Sequence, residues 1–359
     1  MSRTIQYITF YGIFFIVFFG MHLYVYLRLK KLLVFPHPMI FFCAITLLAL
    51  SFPVFSLLEK FFANAFTMIL YTMASVWLGI LFLMLGALVV YEPVRLILRV
   101  DSKITGIVIV SIVLMVSVYA IINAMFIKVK TVDIPLPNLD RPLKAALLSD
   151  IHVGTIHNSD YLKKIVDKTN ALNPDMVLIT GDLFDGLGSV NKNTVEPLNN
   201  LEARTFFTIG NHEVYYGTDR VENVLASTNV VLLRNEVTEY KGIQIVGVDN
   251  PARENQKDNP VLQELIINRA VPSVLMYHSP SGLEDAGQAG INLQVSGHTH
   301  SGQLFPFTLL TKLYFPKING LHRIENMYLY ISPGTGTWGP PMRLGSRSEI
   351  TLINMVPET

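Results

Sequence analysis

The stretch Leu293-Gln-Val-Ser-Gly-His-Thr-His300 reads as a short apolar strand running into a tight turn that projects two imidazoles. Four more groups of the same character stand upstream: Ser149-Asp150-Ile151-His152, Gly181-Asp182, Gly210-Asn211-His212-Glu213 and Tyr277-His278. Each follows a run that reads as a strand, at residues 143–148, 176–180, 205–209, 274–276 and 291–295. Five strand ends carrying Asp, Asn and His predict one site assembled at the carboxyl edge of a sheet. A lone Asp-x-His is usually an ordinary turn. Here seven of the nine histidines lie beyond residue 130, and five of those seven occupy these strand ends.

Working outward, strands and helical stretches alternate from about residue 140: strand 144–148, helix 159–172, strand 176–180, helix near 194–202, strand 205–209 and helix 218–228. Asp160 in the first turn of the helix at 159 suits the helix dipole. This is α/β order. After residue 230 strands dominate, at 230–233, 244–248, 273–277, 293–296, 327–332 and 349–354, and they are expected to form a second sheet. The expected architecture is two sheets faced by helices, in one domain spanning residues 143–359. Pro135, Pro137 and Pro142 mark residues 131–142 as a stiff linker before it.

The first 130 residues are a different kind of protein. The whole chain has 359 residues, a formal charge of +1 and 51% hydrophobic residues. Residues 1–130 hold ten Lys/Arg against three Asp/Glu, and the remainder eighteen against twenty-four. The acidic remainder argues against nucleic acid as a partner, because phosphate backbones need a basic face. Cys43 is the single cysteine, so neither a disulfide framework nor a cysteine zinc site can form. Four apolar runs, at about residues 5–27, 39–58, 66–91 and 104–127, are each long enough to cross a hydrocarbon core of about 30 Å. They predict a four-helix, multi-pass transmembrane region. The first run is long for a signal peptide, and no small-x-small cleavage site follows it before Arg28.

Cations set the expected orientation. Arg28, Lys30 and Lys31 follow the first run and Arg95, Arg99 and Lys103 the third, so by the positive-inside rule these two connections are cytoplasmic. The domain then faces the extracytoplasmic side, against which Lys128 and Lys130 are the opposing signal. The spans contain almost no ionisable residues, which counts against a transporter. His22 reads as a helix-contact or interfacial residue.

Nitrogen and oxygen ligands without thiolate suit manganese, iron or zinc (Mn, Fe or Zn), and a carboxylate can bridge two such ions. Paired ions clamp phosphate oxygens and lower the pKa of a bound water, so hydroxide is available near neutral pH without a covalent enzyme intermediate. The five blocks, in this order over residues 140–355, resemble the motif series of the calcineurin-like metallophosphoesterases. Gly334-Thr-Gly-Thr-Trp338-Gly-Pro-Pro-Met-Arg343-Leu-Gly345 and Ser301-Gly-Gln-Leu-Phe-Pro-Phe307 further resemble the membrane-associated branch with YkuE-like and transmembrane members. The resemblance implies a two-sheet αββα sandwich and two divalent metal ions. It implies that Asp150, His152 and His300 hold the first ion, that Asn211, His278 and His298 hold the second, and that Asp182 bridges both. His212 would be the catalytic imidazole. Glu213 either orients that imidazole or anchors its loop.

Other residues admit two readings. His157 reaches substrate or is a solvent-facing loop residue. Arg343 and Arg347 bind a non-reacting phosphate or are surface arginines. Asp185 shapes the loop after Asp182. Gly334-x-Gly336-x-x-Gly339 formally fits a dinucleotide fingerprint, but Pro340-Pro341 stands where a helix should begin. The run 304–315 either dips into lipid headgroups or forms a wall of the second sheet. The expected activity is hydrolysis of a phosphodiester or pyrophosphate of a membrane-lipid-linked substrate. On a cytoplasmic face, a nucleotide-activated lipid such as UDP-2,3-diacylglucosamine becomes the natural candidate. The alternatives are an anchored phosphatase or nucleotidase acting on soluble substrates, and a non-catalytic metal-binding membrane sensor.

Overall fold

The structure, a computed structural model, describes residues 3–35, 37–97, 101–186, 190–250 and 259–358, with side chains described from Gly12 onward. Arg99, used above for orientation, lies outside the described residues. The chain divides into two compact units, one built on residues 1–122 and one on residues 123–338 and 343–359.

The first unit holds α1 (Arg3–Leu33), α2 (Pro38–Phe62), α3 (Ala65–Ile97) and α4 (Ser102–Met125). All four are long and apolar enough to cross a membrane. Their polar residues pair with each other. Trp77 Nε1–H donates to His22 Nε2 (3.0 Å) and His22 Nδ1–H to the Phe18 carbonyl (2.9 Å), so His22 is a contact between α1 and α3. Glu92 of α3 pairs with Arg28 of α1 and with Arg95, and accepts from Tyr24 at 3.1 Å. The carboxyl ends of α1, with Arg28, Lys30 and Lys31, and of α3, with Arg95, are therefore on the same side. The fourth span ends at Met125, short of the expected residue 127, because Ile127 already opens a strand.

In the second unit one sheet has the order β1-β12-β2-β3-β4-β5, formed by β1 (Ile127–Leu136), β2 (Leu143–Leu148), β3 (Met176–Thr180), β4 (Arg204–Thr208), β5 (Val231–Leu232) and β12 (Ser348–Pro357). The other has the order β10-β11-β9-β8-β7-β6, from β6 (Glu236–Tyr240), β7 (Ile243–Val248), β8 (Ser273–Tyr277), β9 (Leu293–Ser296), β10 (Gly320–Ile324) and β11 (Met327–Ile331). The sheets face each other across one apolar layer, where Leu143, Leu147, Met176, Leu178 and Phe206 meet Ile245, Val274, Met276, Val295 and Tyr330. The outer face of the first sheet is covered by α5 (Ser159–Asn170) with Leu162, Ile165 and Val166, by the single turn α6 (Lys192–Val195), and by α8 (Thr218–Leu225), which follows α7 (Asn211–Tyr216). The outer face of the second is covered by α9 (Val261–Glu264) and α10 (Leu283–Ala289). This is the two-sheet metallophosphoesterase sandwich expected from the motifs.

Three expectations are corrected. Residues 131–136 are not linker: they complete β1, which pairs in parallel with β12 from Ile127↔Ser348 to Leu136↔Pro357. Pro135 is tolerated because β1 is an edge strand and its missing N–H removes no ladder bond to a second neighbour. Residues 231–232 and 348–357 belong to the first sheet: β5 extends β4 in parallel and β12 runs antiparallel to β2. The helix near 194–202 is one α-turn followed by a 3-10 turn at Glu196–Asn200, since Pro197 interrupts regular helix.

Candidate metal centre

All five predicted groups sit at the carboxyl ends of mutually parallel strands, β2, β3 and β4 in one sheet and β8 and β9 in the other. The chain reverses sharply there. Asp150, His152, Asp182, His298 and His300 all have φ between 47° and 71°, the left-handed region that side-chain-bearing residues rarely adopt and that clusters at functional sites. Backbone bonds hold the first two turns side by side: Asp150 N–H donates to Gly181 O (3.2 Å), His152 N–H to Asp182 O (3.1 Å) and Val153 N–H to Leu183 O (2.7 Å). Glycine is required where side chains crowd the turns. A Cβ on Gly297 would stand 1.9 Å from Ser149 Oγ, and one on Gly210 would stand 2.3 Å from Asp182 Oδ1.

The seven residues fall into two groups. In the first, His152 Nε2 and His300 Nε2 are 3.1 Å apart and Asp150 Oδ1 lies 3.4 Å from His300 Nε2. In the second, Asp182, His278 and His298 bring ligand atoms within 4.8 Å of one another, and His298 Nδ1 lies 3.0 Å from Asn211 Oδ1. Asp182 Oδ2 stands between the groups, 3.1 Å from His278 Nε2 and 4.0 Å from His152 Nε2. Ligands about 2.1 Å from one cation sit about 3 Å from each other, so these spacings fit divalent ions. Nδ1–H of His278 donates to Thr180 O (2.9 Å), which fixes the ring and turns Nε2 toward the carboxylates, where an ion would take the place of its proton.

Electrostatics tell the same story. Burial raises the Asp150 carboxyl to about 6 against the pull of His278. Burial also opposes ionisation of Asp182, yet the imidazoles of His278 and His212 beside it hold it well below the ordinary carboxylate range. Burial resists charging of His278 as well, but Asp182 and then Asp150 raise it to about 10. Two buried carboxylates thus demand positive charge between them. Burial keeps His152 and His300 well below the ordinary histidine range, with His212 adding at the former and Arg343 at the latter, so both rings are neutral as metal ligands must be.

His212 lies beside the groups. Its Nδ1–H donates to Asp185 O (2.8 Å), its backbone N–H to Asp182 Oδ1 (2.9 Å), and its ring stands edge-on to His152 at 4.7 Å. Burial would lower this imidazole, but Asp182 and Asp185 raise it above its usual value. Tyr215 and Trp338, both exposed, stand 5.7 and 6.1 Å from its ring.

Of the two readings of Glu213, the geometry favours the anchor. Its fully buried carboxylate accepts N–H bonds from Asp182 (2.9 Å), Gly210 (2.7 Å) and Phe184 (3.0 Å), tying the β3 and β4 turns together. Asp185 is more than a loop shaper: its Oδ1 lies 3.8 Å from His152 Nδ1, and His152, Asp185 and His212 form a third group of possible ligands. Both readings of Arg343 are corrected. It is completely buried and donates to the carbonyls of Pro333 (2.8 Å), Gly336 (2.6 Å), Gly334 and His300 (both 3.3 Å). His157 is likewise neither at a substrate nor in solvent. It is buried, stacked on Tyr161 at 4.1 Å, and its Nε2 accepts the Thr337 N–H at 3.1 Å. The glycine-rich segment packs its backbone on the metal turn, with Thr335 N–H on Ser149 O (2.7 Å) and Gly336 N–H on Asp150 O (2.9 Å). Gln303 clamps Trp338 through both backbone groups at 2.9 Å. Sequence carried no signal for the roles of His157, Gln303 and Arg343, because each depends on which backbone groups the fold brings together.

A sandwich whose parallel strand ends gather two His/Asp groups around one shared carboxylate defines a metal-site phosphoesterase fold. The profile of the calcineurin-like phosphoesterases matches residues 143–302. An uncharacterized metallophosphoesterase of Campylobacter jejuni is 33% identical over 310 residues, 84% of this chain and 81% of that one. One from Helicobacter pylori is 37% identical over 238 residues, 64% of each chain. A transmembrane protein with metallophosphoesterase domain from Danio rerio is 38% identical over 262 residues, 66% of this chain and 59% of that one. The chain belongs to the calcineurin-like metallophosphoesterase family. It spans slightly less than two thirds of the Helicobacter relative's length.

Proposed function

We propose that the protein is a membrane-anchored phosphoesterase with two divalent metal ions, hydrolysing a phosphodiester or pyrophosphate of a lipid-linked substrate. The observation that carries this reading is the placement of Asp182 Oδ2 between the two ligand groups, 3.1 Å from one imidazole and 4.0 Å from another. Asp150, His152 and His300 would hold one ion, and Asn211, His278 and His298 the other, with Asp182 available to both. When bound, such ions supply Lewis acidity toward phosphate oxygens and an activated water. Manganese, iron and zinc all suit these donors.

The chain's own residues do the rest. The carboxylates of Asp150 and Asp182 are held by the backbone N–H groups of His298 and His212, and their turns by Glu213, before substrate arrives, so the donor set needs no rearrangement. His212, pushed above its usual value by Asp182 and Asp185, is held through Nδ1, which leaves Nε2 free to serve a phosphate oxygen or the leaving oxygen as a proton donor. Tyr215 and Trp338 flank it as apolar walls.

Four apolar helices and relatives named transmembrane proteins support multi-pass anchoring, which brings the site to bilayer lipids. In detergent and in vesicles, hydrolysis of phospholipids and lipid pyrophosphates is expected to exceed that of nucleotides, and His212→Ala is expected to suppress it by roughly 10²–10⁴-fold. Faster turnover of soluble nucleotides favours the anchored-nucleotidase alternative; metal binding with no turnover overturns catalysis. The cation distribution supports an extracytoplasmic domain. With Cys43→Ser, a cysteine at Ile266, which is 92% exposed, is expected to react with an impermeant maleimide in intact cells. Reaction only after lysis reverses the orientation.

A further inference from the structure

We infer that the helix α11 (Phe307–Tyr314) docks on the bilayer surface and carries the metal cluster to the lipid headgroups. The helix is amphipathic in the wrong sense for a water-facing element. At 100° per residue, Phe307, Leu309, Leu310, Leu313 and Tyr314 fill one arc of about 160°, with Thr308, Thr311 and Lys312 opposite. In a solvated domain the apolar arc would pack inward. Here none of the eight residues is buried, and the apolar arc ranges from 46% exposed at Phe307 to 83% at Leu313. On the polar side Thr308 faces the domain instead, while Lys312 stays exposed. A Cβ on Gly302 would lie 2.3 Å from Thr308 Cα, and Thr308 Oγ1 is buried without a hydrogen-bond partner.

The occupant is a bilayer rather than a second protein, on two grounds. The chain carries its own four membrane-length helices, so a lipid surface is always in reach. From Phe305 to Lys317 there is no acidic residue, while Lys312 and Lys317 sit among Phe305, Phe307 and Tyr314, the composition of a helix lying at an anionic interface. The patch is joined to the site. Phe315, which ends the helix, stands edge-on to His298 at 5.6 Å and to Tyr314 at 4.8 Å. A phosphate at headgroup depth would thus meet the second ligand group; this consequence rests on the phosphoesterase reading, whereas the docking itself does not.

The test uses the full chain with Cys43→Ser and one cysteine at Leu313, labelled with bimane and reconstituted in phosphatidylcholine and phosphatidylglycerol vesicles. Several-fold stronger quenching by doxyl-lipid than at a labelled Ile266 cysteine, with weaker quenching by iodide, is the expected result. Quenching at Leu313 equal to that at Ile266, or 313–313 disulfide cross-linking without doxyl quenching, overturns the inference. In a second arm, Leu310→Glu with Leu313→Glu is expected to raise KM for a bilayer-embedded phosphodiester by an order of magnitude and to leave hydrolysis of bis(p-nitrophenyl) phosphate unchanged. Unchanged KM for the embedded substrate also counts against docking. If the parent protein hydrolyses neither substrate, the phosphoesterase reading fails while the quenching still decides the depth.

Discussion

Asp182→Asn is expected to lower metal-dependent phosphodiester hydrolysis on the order of 10³-fold, the scale of losing a preorganised charged group at the transition state. The substitution is nearly isosteric, so the turn that holds residue 182 should survive: its N–H still reaches Glu213 and its Oδ1 can still accept from His212 N–H. What disappears is the shared negative charge. The Asp182 carboxylate raises both His278 and His212, so the amide leaves both imidazoles less basic, and offers one oxygen where a carboxylate would offer two to a pair of ions. Asp185→Asn is the comparison. Its carboxylate approaches His152 Nδ1 at 3.8 Å, the position of a partner that orients a ligand, and such partners are worth about 10–100-fold. Metal content by plasma emission, measured beside kcat, separates loss of the ions from loss of chemistry. Equal activity in the two variants would remove Asp182 from the bridging position.

The contrast between these two aspartates shows what the sequence makes legible. Asp182 was identifiable because the glycine before it and the strand before that fix its place at a sheet edge, and the same holds for Asp150, Asn211, His278 and the two imidazoles after Gly297. Strand ends are periodic, local features. Asp185, His157 and Arg343 are not at strand ends, and the partners of His157, Arg343 and Glu213 are backbone groups up to 180 residues distant. A carboxylate accepting three N–H bonds and a guanidinium donating to four carbonyls look, in one dimension, like any charged loop residues. The same limit explains β1. Three prolines within eight residues describe a linker by composition, and only the position of β1 at the edge of its sheet makes Pro135 admissible. The left-handed turns at five of the seven predicted ligands were invisible for the opposite reason: none of the five is the glycine that usually signals such a conformation. Their strain is held by the backbone bonds between the turns, which positions the donors before any ion binds.

Below pH 6.5 the protein is expected to lose thermal stability through His157. Burial, with Arg343 adding, lowers this imidazole from 6.5 to about 4. In the folded state it is therefore neutral down to about pH 4, whereas in the unfolded chain it takes a proton below 6.5. The unfolded state binds more protons in that window, so stability is full above 6.5, falls as the pH drops toward 4, and levels off below it. The shift corresponds to about 3 kcal/mol across the window. His157→Gln keeps an acceptor for the Thr337 N–H and cannot titrate, so its melting temperature should fall less steeply from pH 7 to pH 4 than that of the parent. His152 and His300 contribute slopes of the same sign, and taking the difference between variant and parent isolates residue 157. The consequence reaches the site through the glycine-rich segment, because Thr337 precedes Trp338, which flanks His212. Parallel pH profiles for the two proteins would show that His157 is not held neutral in the folded state, and the segment that presents Trp338 would then owe its position to Arg343, Gln303 and its own backbone bonds to Ser149 and Asp150.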